Sequence, residues 1–307
     1  MLSVILPSYN EEDNISNTAA VISRMLEENK IEYELIFVDD GSRDASWEVI
    51  CKESKKNRRV RGVRFSRNFG KEGAIFAGLK AAVGDCAVVM DCDLQHPPQT
   101  VLEMYDKWLN GAEVVEGKKR SRGKESSAYG GLSKLFYKLI KSASGIDMID
   151  TSDFKLLDRK VINALLDLPE RITFFRALSG WVGFKTETVW FDVAPRAYGE
   201  RKWTTKMLLG YAIRNLSSFT GMPLYISTIL GLFIILAAVV IWILLLCGVN
   251  LGSFNAANAA ILFVLGLILE TVGILSYYVS RIYEEIKNRP RYIVSNTTDE
   301  AVNIPEE

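Results

Sequence analysis

The chain has 307 residues, with 37 Lys and Arg against 37 Asp and Glu, one His and four Cys. A formal net charge of zero argues against a nucleic-acid binder, which would carry a basic excess. His96, as the single histidine, excludes a multi-histidine metal site, and Cys51, Cys86, Cys92 and Cys247 lack the C-x-x-C spacing of a zinc ribbon or a dithiol.

In chain order, short apolar runs alternate with stretches of helical length. The runs are Val4–Leu6, Leu35–Val38, Val60–Phe65, Ala87–Met90 and Glu113–Glu116. Between them lie Glu12–Glu28, Ala45–Lys56, Gly73–Ala82 and Pro98–Leu109. This alternation predicts βαβ units around a buried, mostly parallel sheet. Functional residues then belong at the carboxyl ends of the strands, at Pro7–Glu11, Asp39–Ser42, Ser66–Lys71, Asp91–Gln95 and Gly117–Arg122. The N-terminus runs from a first strand straight into polar residues and is not read as a signal peptide. Beyond residue 126 the pattern predicts a helix at Tyr129–Ser142, a strand at Phe154–Leu157, a further helix and alternation over Thr186–Val193.

The C-terminal third differs in kind. From Ile226 to Val279 the only charged residue is Glu270. Two uncharged or nearly uncharged runs, Ile226–Val249 and Ala256–Val279, are each long enough for about 36 Å of helix. Their connecting loop has no Lys or Arg, whereas Arg201, Lys202, Lys206 and Arg214 precede the first run and Arg281, Lys287, Arg289 and Arg291 follow the second. The positive-inside rule puts both ends in the cytoplasm and makes the pair a membrane hairpin. Just before it, Leu208, Ala212, Leu216 and Phe219 share one helical face, as expected of an interfacial amphipathic helix. Glu270 is read as a protonated or snorkelling carboxylate at a subunit contact, which leaves a homo-oligomer open. The expected organisation is a cytosolic catalytic domain over residues 1–200, an interfacial segment over 201–222, a two-helix transmembrane hairpin over 223–280 and a cytosolic tail over 281–307, at the cytoplasmic membrane.

The chemistry concentrates at Asp91-Cys92-Asp93, which follows an apolar strand and precedes Leu94-Gln95-His96-Pro97-Pro98. Carboxylates at i and i+2 beyond a strand end can share one hard cation, with Gln95 adding a neutral oxygen, and Mg2+ or Mn2+ prefers such ligands alongside substrate phosphates. Asp39-Asp40-Gly41-Ser42 offers acceptors for a ribose or a base. Taken alone it reads as a turn; taken with Pro7-Ser8-Tyr9-Asn10-Glu11 it reads as a binding edge.

These segments, with Arg67-Asn68-Phe69-Gly70-Lys71, Asp150 to Leu156, Arg196 to Trp203 and Arg281 to Pro290, resemble family-2 inverting glycosyltransferases of the GT-A fold. Within that family the chain is similar to bacterial polyprenyl-phosphate sugar transferases, relatives of dolichyl-phosphate mannose synthase. The resemblance implies an α/β, Rossmann-like nucleotide-sugar domain followed by an interfacial helix and two transmembrane helices. It implies donor binding by Pro7, Tyr9, Glu11, Asp39, Asp40 and Asp91, and a metal, Mg2+ or Mn2+, on Asp91, Asp93 and Gln95. Lys119, Arg122, Arg196 and Lys202 are the implied cations for phosphates and acceptor. Catalysis is implied at Asp93 and Asp153, the latter matching an aspartate often described as the base. A phosphate monoester with a second pKa of about 6 is already largely ionised at neutral pH, so Asp153 is read as positioning first and base second.

The implied reaction moves a sugar, with inversion, from a UDP-sugar to a polyprenyl phosphate such as undecaprenyl phosphate. A GDP-mannose user is the nearest alternative. A processive polysaccharide synthase would carry Q-x-x-R-W, which Glu200-Arg201-Lys202-Trp203 does not match, and the intact Asp91, Asp93 and Asp153 argue against a non-catalytic membrane adaptor. Ser152 and Lys155 stand where Gly and Arg are common, and are expected to adjust sugar or acceptor contacts. Cys92 replaces the usual Ala as another small residue.

Overall fold

The computed structural model describes residues 1–120, 151–169, 174–193, 256–287 and 289–298. The chain divides into two units, Met1–Trp203 with Pro290–Glu307, and Thr204–Arg289.

Among the described residues of the first unit, eight strands form one sheet in the order β7-β5-β6-β4-β1-β2-β3-β8. The strands are β1 (Leu2–Ser8), β2 (Tyr33–Asp39), β3 (Val60–Phe65), β4 (Cys86–Val89), β5 (Val114–Lys119), β6 (Thr151–Asp158), β7 (Thr186–Phe191) and β8 (Val294–Thr297). Helices α1 (Glu12–Glu28), α2 (Ser46–Lys56), α3 (Lys71–Ala81) and α4 (Pro98–Leu109) join the first five strands. Helices α5 (Arg159–Leu166) and α6 (Phe175–Trp181) follow β6. The apolar runs form strands because they are buried on both faces: every residue of β2 and β4 is buried. Phe37, Phe65, Phe76 and Phe154 are among the largest side chains fully enclosed, each contributing about 1.5–3 kcal/mol relative to exposure.

β4, β1, β2 and β3 are parallel, so their carboxyl ends share one edge. β6 runs antiparallel to β4, with Val89 opposite Lys155, and so brings its amino end to that same edge. Asp153 is thereby delivered beside Asp91 although β6 is the wrong way round for a simple βαβ repeat.

The expected helices over Glu12–Glu28 and Pro98–Leu109 match their observed bounds. Helix α3 begins two residues earlier than its apolar pattern suggests, because Gly70 at φ 97° turns the chain into the helix and makes Lys71 its first residue. Within the expected tail over 281–307, the chain from Pro290 onward belongs to the first unit. Its strand β8 pairs antiparallel with β3, Tyr292 stacks on Phe65 at 4.9 Å, and Arg291 donates to the Leu168 carbonyl at 2.6 Å.

The second unit is described through α7 (Ala256–Ile286), 31 residues long. Among its described side chains Ile261, Val264, Ile268, Val272, Leu275 and Val279 are exposed, at the three- and four-residue spacing of one helical stripe. Among the described residues no helix is long and apolar enough to cross a membrane. The first expected span, the interfacial segment, and several side chains of the second span, Glu270 included, lie outside the described residues.

Candidate active site

At the shared edge, the turns after β1 and β2 are tied together by side chains. Asn10, at φ 54°, receives a hydrogen bond from Arg43 N–H on Oδ1, and its own N–H donates to Ser42 Oγ, both at 2.9 Å. Glu11 N–H donates to Ser46 Oγ at 2.8 Å, while the Glu11 carboxylate accepts from Asn14 at 2.6 Å. Asp39 Oδ1 accepts from Ser42 N–H at 2.9 Å. Its Oδ2 is fully buried, 3.3 Å from Arg64 Nε, yet has no hydrogen bond among the described residues. An enclosed carboxylate oxygen in that state suits an incoming N–H or O–H donor.

Asp40 reaches forward to the loop after β3. Its carboxylate accepts from the N–H groups of Phe69 at 2.6 Å and Gly70 at 2.9 Å. Gly41, at φ 68°, lies so close to this loop that a Cβ would stand 2.5 Å from the Arg67 carbonyl carbon. The Asp-Gly pair therefore clamps the backbone that leads into Lys71.

Lys71 carries the clamp's geometry into a chain of alternating charge. Its ammonium lies 2.6 Å from Asp91 Oδ1 and 3.0 Å from Asp153 Oδ2. The other Asp153 oxygen accepts from Arg176 Nε at 3.2 Å and Nη2 at 3.1 Å. Next to Lys71, Glu72 accepts the Phe175 N–H at 2.8 Å, so one helix start positions both Asp153 and the backbone beside Arg176. Behind them a buried ion pair joins Lys155 to Glu116 at 2.7 Å, and Lys155 also donates to the Arg176 carbonyl.

The electrostatics follow from these contacts. Burial raises the Asp153 carboxyl, but Arg176 and Lys71 outweigh it and hold the group far below the usual carboxylate range. Burial likewise raises Asp91, and the Lys71 ammonium leads the effects that reverse it to a net lowering. For Lys71 burial opposes the charge, yet the two carboxylates raise it above an ordinary lysine. At neutral pH all three are ionised. Asp40 goes the other way: burial exceeds the pull of the Phe69 and Gly70 N–H groups and carries it from 3.8 up to about 6.

The Asp91–His96 turn is braced from behind. His96 Nδ1 accepts the Asp91 N–H at 3.2 Å, and its ring stacks on Phe154 at 4.5 Å. Burial lowers the His96 pKa, with Lys71 and Lys119 adding to the effect against Asp91, so the imidazole is a neutral acceptor. Asp93, buried, accepts the Gln95 N–H at 3.1 Å, and Leu94 at φ 56° supplies the bend. Thr18 donates to the Cys92 carbonyl at 2.8 Å, and Cys92 itself is buried with its thiol pushed up to about 12, an inert spacer.

Asp91 and Asp93 fit a divalent ion by donor chemistry: hard oxygens, two residues apart, on a turned backbone. Asp91 is 37% exposed and a cation, the Lys71 ammonium, already lies against it. Among the described residues no group of three or more His, Cys, Asp or Glu converges. What the structure describes of Gln95 is its backbone N–H on Asp93 rather than a metal contact.

Of the expected site residues, the structure brings Glu11, Asp39, Asp40, Asp91, Asp93 and Asp153 to one edge, with Pro7 near the end of β1, the exposed Tyr9 on the turn after it and Lys119 near His96. Arg122, Arg196 and Lys202 lie outside the described residues. Ser152 and Lys155, expected to adjust sugar or acceptor contacts, are both buried. Both point inward, Ser152 donating to the Gly117 carbonyl at 2.7 Å and Lys155 enclosed with Glu116. Arg176 and Lys71 are the site residues that sequence reasoning did not single out. Lys71 stood within a noted segment, but only the fold sets it between two carboxylates, and nothing around Arg176 marks it.

Known proteins resemble this chain in sequence and in fold. Residues 3–166 match the glycosyl transferase family 2 model. An uncharacterised glycosyltransferase of Synechocystis is 39% identical over 96% of this chain and 95% of its own length. The prophage-derived bactoprenol glucosyl transferase of Shigella flexneri is 33% identical over 96% of this chain and 98% of its own. Among solved structures, glucosyl-3-phosphoglycerate synthase of Mycobacterium tuberculosis, in complex with Mn2+, UDP and phosphoglyceric acid, superposes with a TM-score of 0.52. It covers 71% of this chain and 76% of that one at 23% identity, a likeness of fold.

Proposed function

Because the chain belongs to glycosyl transferase family 2, we propose that it transfers glucose from UDP-glucose to the phosphate of a polyprenyl lipid, with inversion at the anomeric carbon. The observation that carries this reading is the meeting of Asp91 and Asp153 through Lys71, which supports a diphosphate at Asp91 beside a pair of cations suited to a phosphate acceptor. A relative named for bactoprenol and glucose, matched along nearly its whole length, supports the choice of sugar and acceptor.

An acceptor phosphate oxygen forms the new bond to the anomeric carbon as the bond to the diphosphate breaks, and UDP leaves with the electron pair. Asp39 and the β1 turn would receive the nucleoside. Asp91 and Asp93 would hold Mg2+ or Mn2+, which supplies positive charge where the leaving diphosphate gathers negative charge. Asp153 acts as a positioning residue here. Both its oxygens face cations, and a carboxylate so stabilised is a poor proton acceptor. Its work is to hold Lys71 and Arg176 where the acceptor phosphate arrives.

The acceptor reading extends to the membrane. The sequence runs Ile226–Val249 and Ala256–Val279 would form a hairpin across the cytoplasmic membrane, with the catalytic unit and both termini inside. The exposed apolar stripe of α7 supports a lipid or helix neighbour for that helix. Cysteines placed at Ser253 and Ser295 test the orientation: reagent outside intact cells should label the first and not the second, and the reverse would overturn it. The test of the reaction is turnover by the purified protein in detergent with undecaprenyl phosphate, Mg2+ and a panel of UDP- and GDP-sugars. A glucosyl lipid phosphate formed from UDP-glucose is the expected product. Preferential use of GDP-mannose would replace the donor, and the absence of any lipid product would overturn the acceptor.

A further inference from the structure

Among the ion pairs described, Lys71 is the one side chain in direct contact with both Asp91 and Asp153. Its surroundings are those of an exchangeable cation. The backbone before it is fixed by Asp40 and Gly41, so the start of α3 cannot drift. Beyond that fixed point a long, unbranched side chain is 34% exposed, and its ammonium is shared between two carboxylates from different strands. Asp91 is also the carboxylate that the donor chemistry assigns to a divalent ion. An ammonium 2.6 Å from Asp91 Oδ1 and a divalent ion on the same carboxylate repel one another, so the two compete.

We propose that Lys71 is a resident counter-cation for Asp91 and Asp153 that yields Asp91 to the divalent ion and then, still anchored at Asp153 beside Arg176, offers its ammonium to a phosphate oxygen. This rests on the family-2 reading above, and deepens it by giving the site an order: filling the metal position releases a cation toward the side where a phosphate is received. The shared chemistry is a phosphate oxygen, supplied by either the nucleoside diphosphate or the lipid phosphate. The Arg176 guanidinium lies against Asp153 at 3.1 Å, on the side away from the Lys71 contact, which uses the other carboxylate oxygen.

The test uses the full-length protein in detergent and Mn2+ alone, read as loss of the free-ion EPR signal. Lys71→Met and Lys71→Gln should bind Mn2+ about tenfold more tightly than wild type, since an opposing unit charge at this range shifts such an equilibrium by roughly that much or more. Lys71→Arg should keep the weaker wild-type affinity, which separates a charge effect from a disturbed fold and keeps the test valid if the neutral variants are unstable. Unchanged or weaker Mn2+ binding in both neutral variants would overturn the competition. Asp91→Asn is the control for the underlying reading. If it binds Mn2+ as wild type does, the metal assignment itself fails, whereas loss of binding in Asp91→Asn without tightening in Lys71→Met refutes this inference alone. At saturating Mn2+, a rise in the UDP dissociation constant of Lys71→Met assigns the ammonium to the diphosphate, and a rise in KM for polyprenyl phosphate assigns it to the acceptor. If neither moves, the phosphate role is wrong.

Discussion

Two sets of aspartates lie along the same edge of the sheet, and they are satisfied in opposite ways. Asp39 and Asp40, at the end of β2, bond to backbone N–H groups of Ser42, Phe69 and Gly70. Asp91 and Asp153, at β4 and β6, face the side-chain cations Lys71 and Arg176. Backbone donors cannot leave without undoing a turn, whereas an ammonium on four methylenes can swing away with the fold intact. Asp40, with the Ser42-bonded oxygen of Asp39, is thus scaffold, whereas the partners of Asp91 and Asp153 are exchangeable, and the second Asp39 oxygen stays beside Arg64 for an incoming donor. The two sets are in series, since the loop that Asp40 fixes is the loop that delivers Lys71.

The largest effect expected from this contrast is at the exchangeable set. Asp91→Asn or Asp93→Asn should lower glucosyl transfer by about a thousandfold, the scale seen when an electrostatic partner of a developing charge is removed, with a melting temperature near wild type. A collapse of the melting temperature would show that this set, too, is scaffold.

Asp153→Asn comes next, with an expected loss of roughly a hundredfold in kcat that persists from pH 7 to 9, because the acceptor phosphate with its pKa of about 6 is ionised throughout. Recovery of rate toward pH 9 in a pH–rate profile would restore Asp153 as a general base.

At the scaffold the readout is stability, not turnover. Asp40 ionises near 3.8 when unfolded and at about 6 when folded, so folding favours its protonated form. That contribution is complete below about pH 4 and is lost as pH rises to about 6, a change of about 2–3 kcal/mol. Asp40→Asn mimics the protonated group and does not titrate. The stability of wild type minus that of Asp40→Asn, from denaturant melts, should therefore fall between pH 4 and 6 and then level off. A difference that climbs with pH would mean that the Phe69 and Gly70 N–H groups outweigh burial.

The smallest effect expected is at the brace between the two sets. His96→Phe keeps an aromatic ring against Phe154 but leaves the Asp91 N–H without its acceptor, a cost of about 1 kcal/mol. An unchanged denaturation midpoint would mean that the ring stacking alone positions the turn.

The sequence by itself determined the strands, because residues buried on both faces of a parallel sheet must read as unbroken apolar runs, and it determined the carboxylate turns that cap them. PSYNE, VDDGS and DCDLQHPP carry their chemistry in local order, so most of the acidic site was legible before any coordinates. What only the tertiary structure decided is where those carboxylates find their partners. Asp40 looks like a ligand residue in a turn, and only the approach of residues 69 and 70 reveals that its oxygens are engaged. Lys155 is read from sequence as adjusting sugar or acceptor contacts, and only the pairing of β5 with β6 reveals its enclosure against Glu116. Strand β8 has no strong apolar pattern, and joins the sheet because β3 has an open edge for it to pair with. Lys71 and Arg176 have no periodicity or motif of their own to mark them. An ion pair between distant segments depends on strand order and direction, here the antiparallel entry of β6 beside β4, and those are properties of the assembled sheet rather than of any window of sequence.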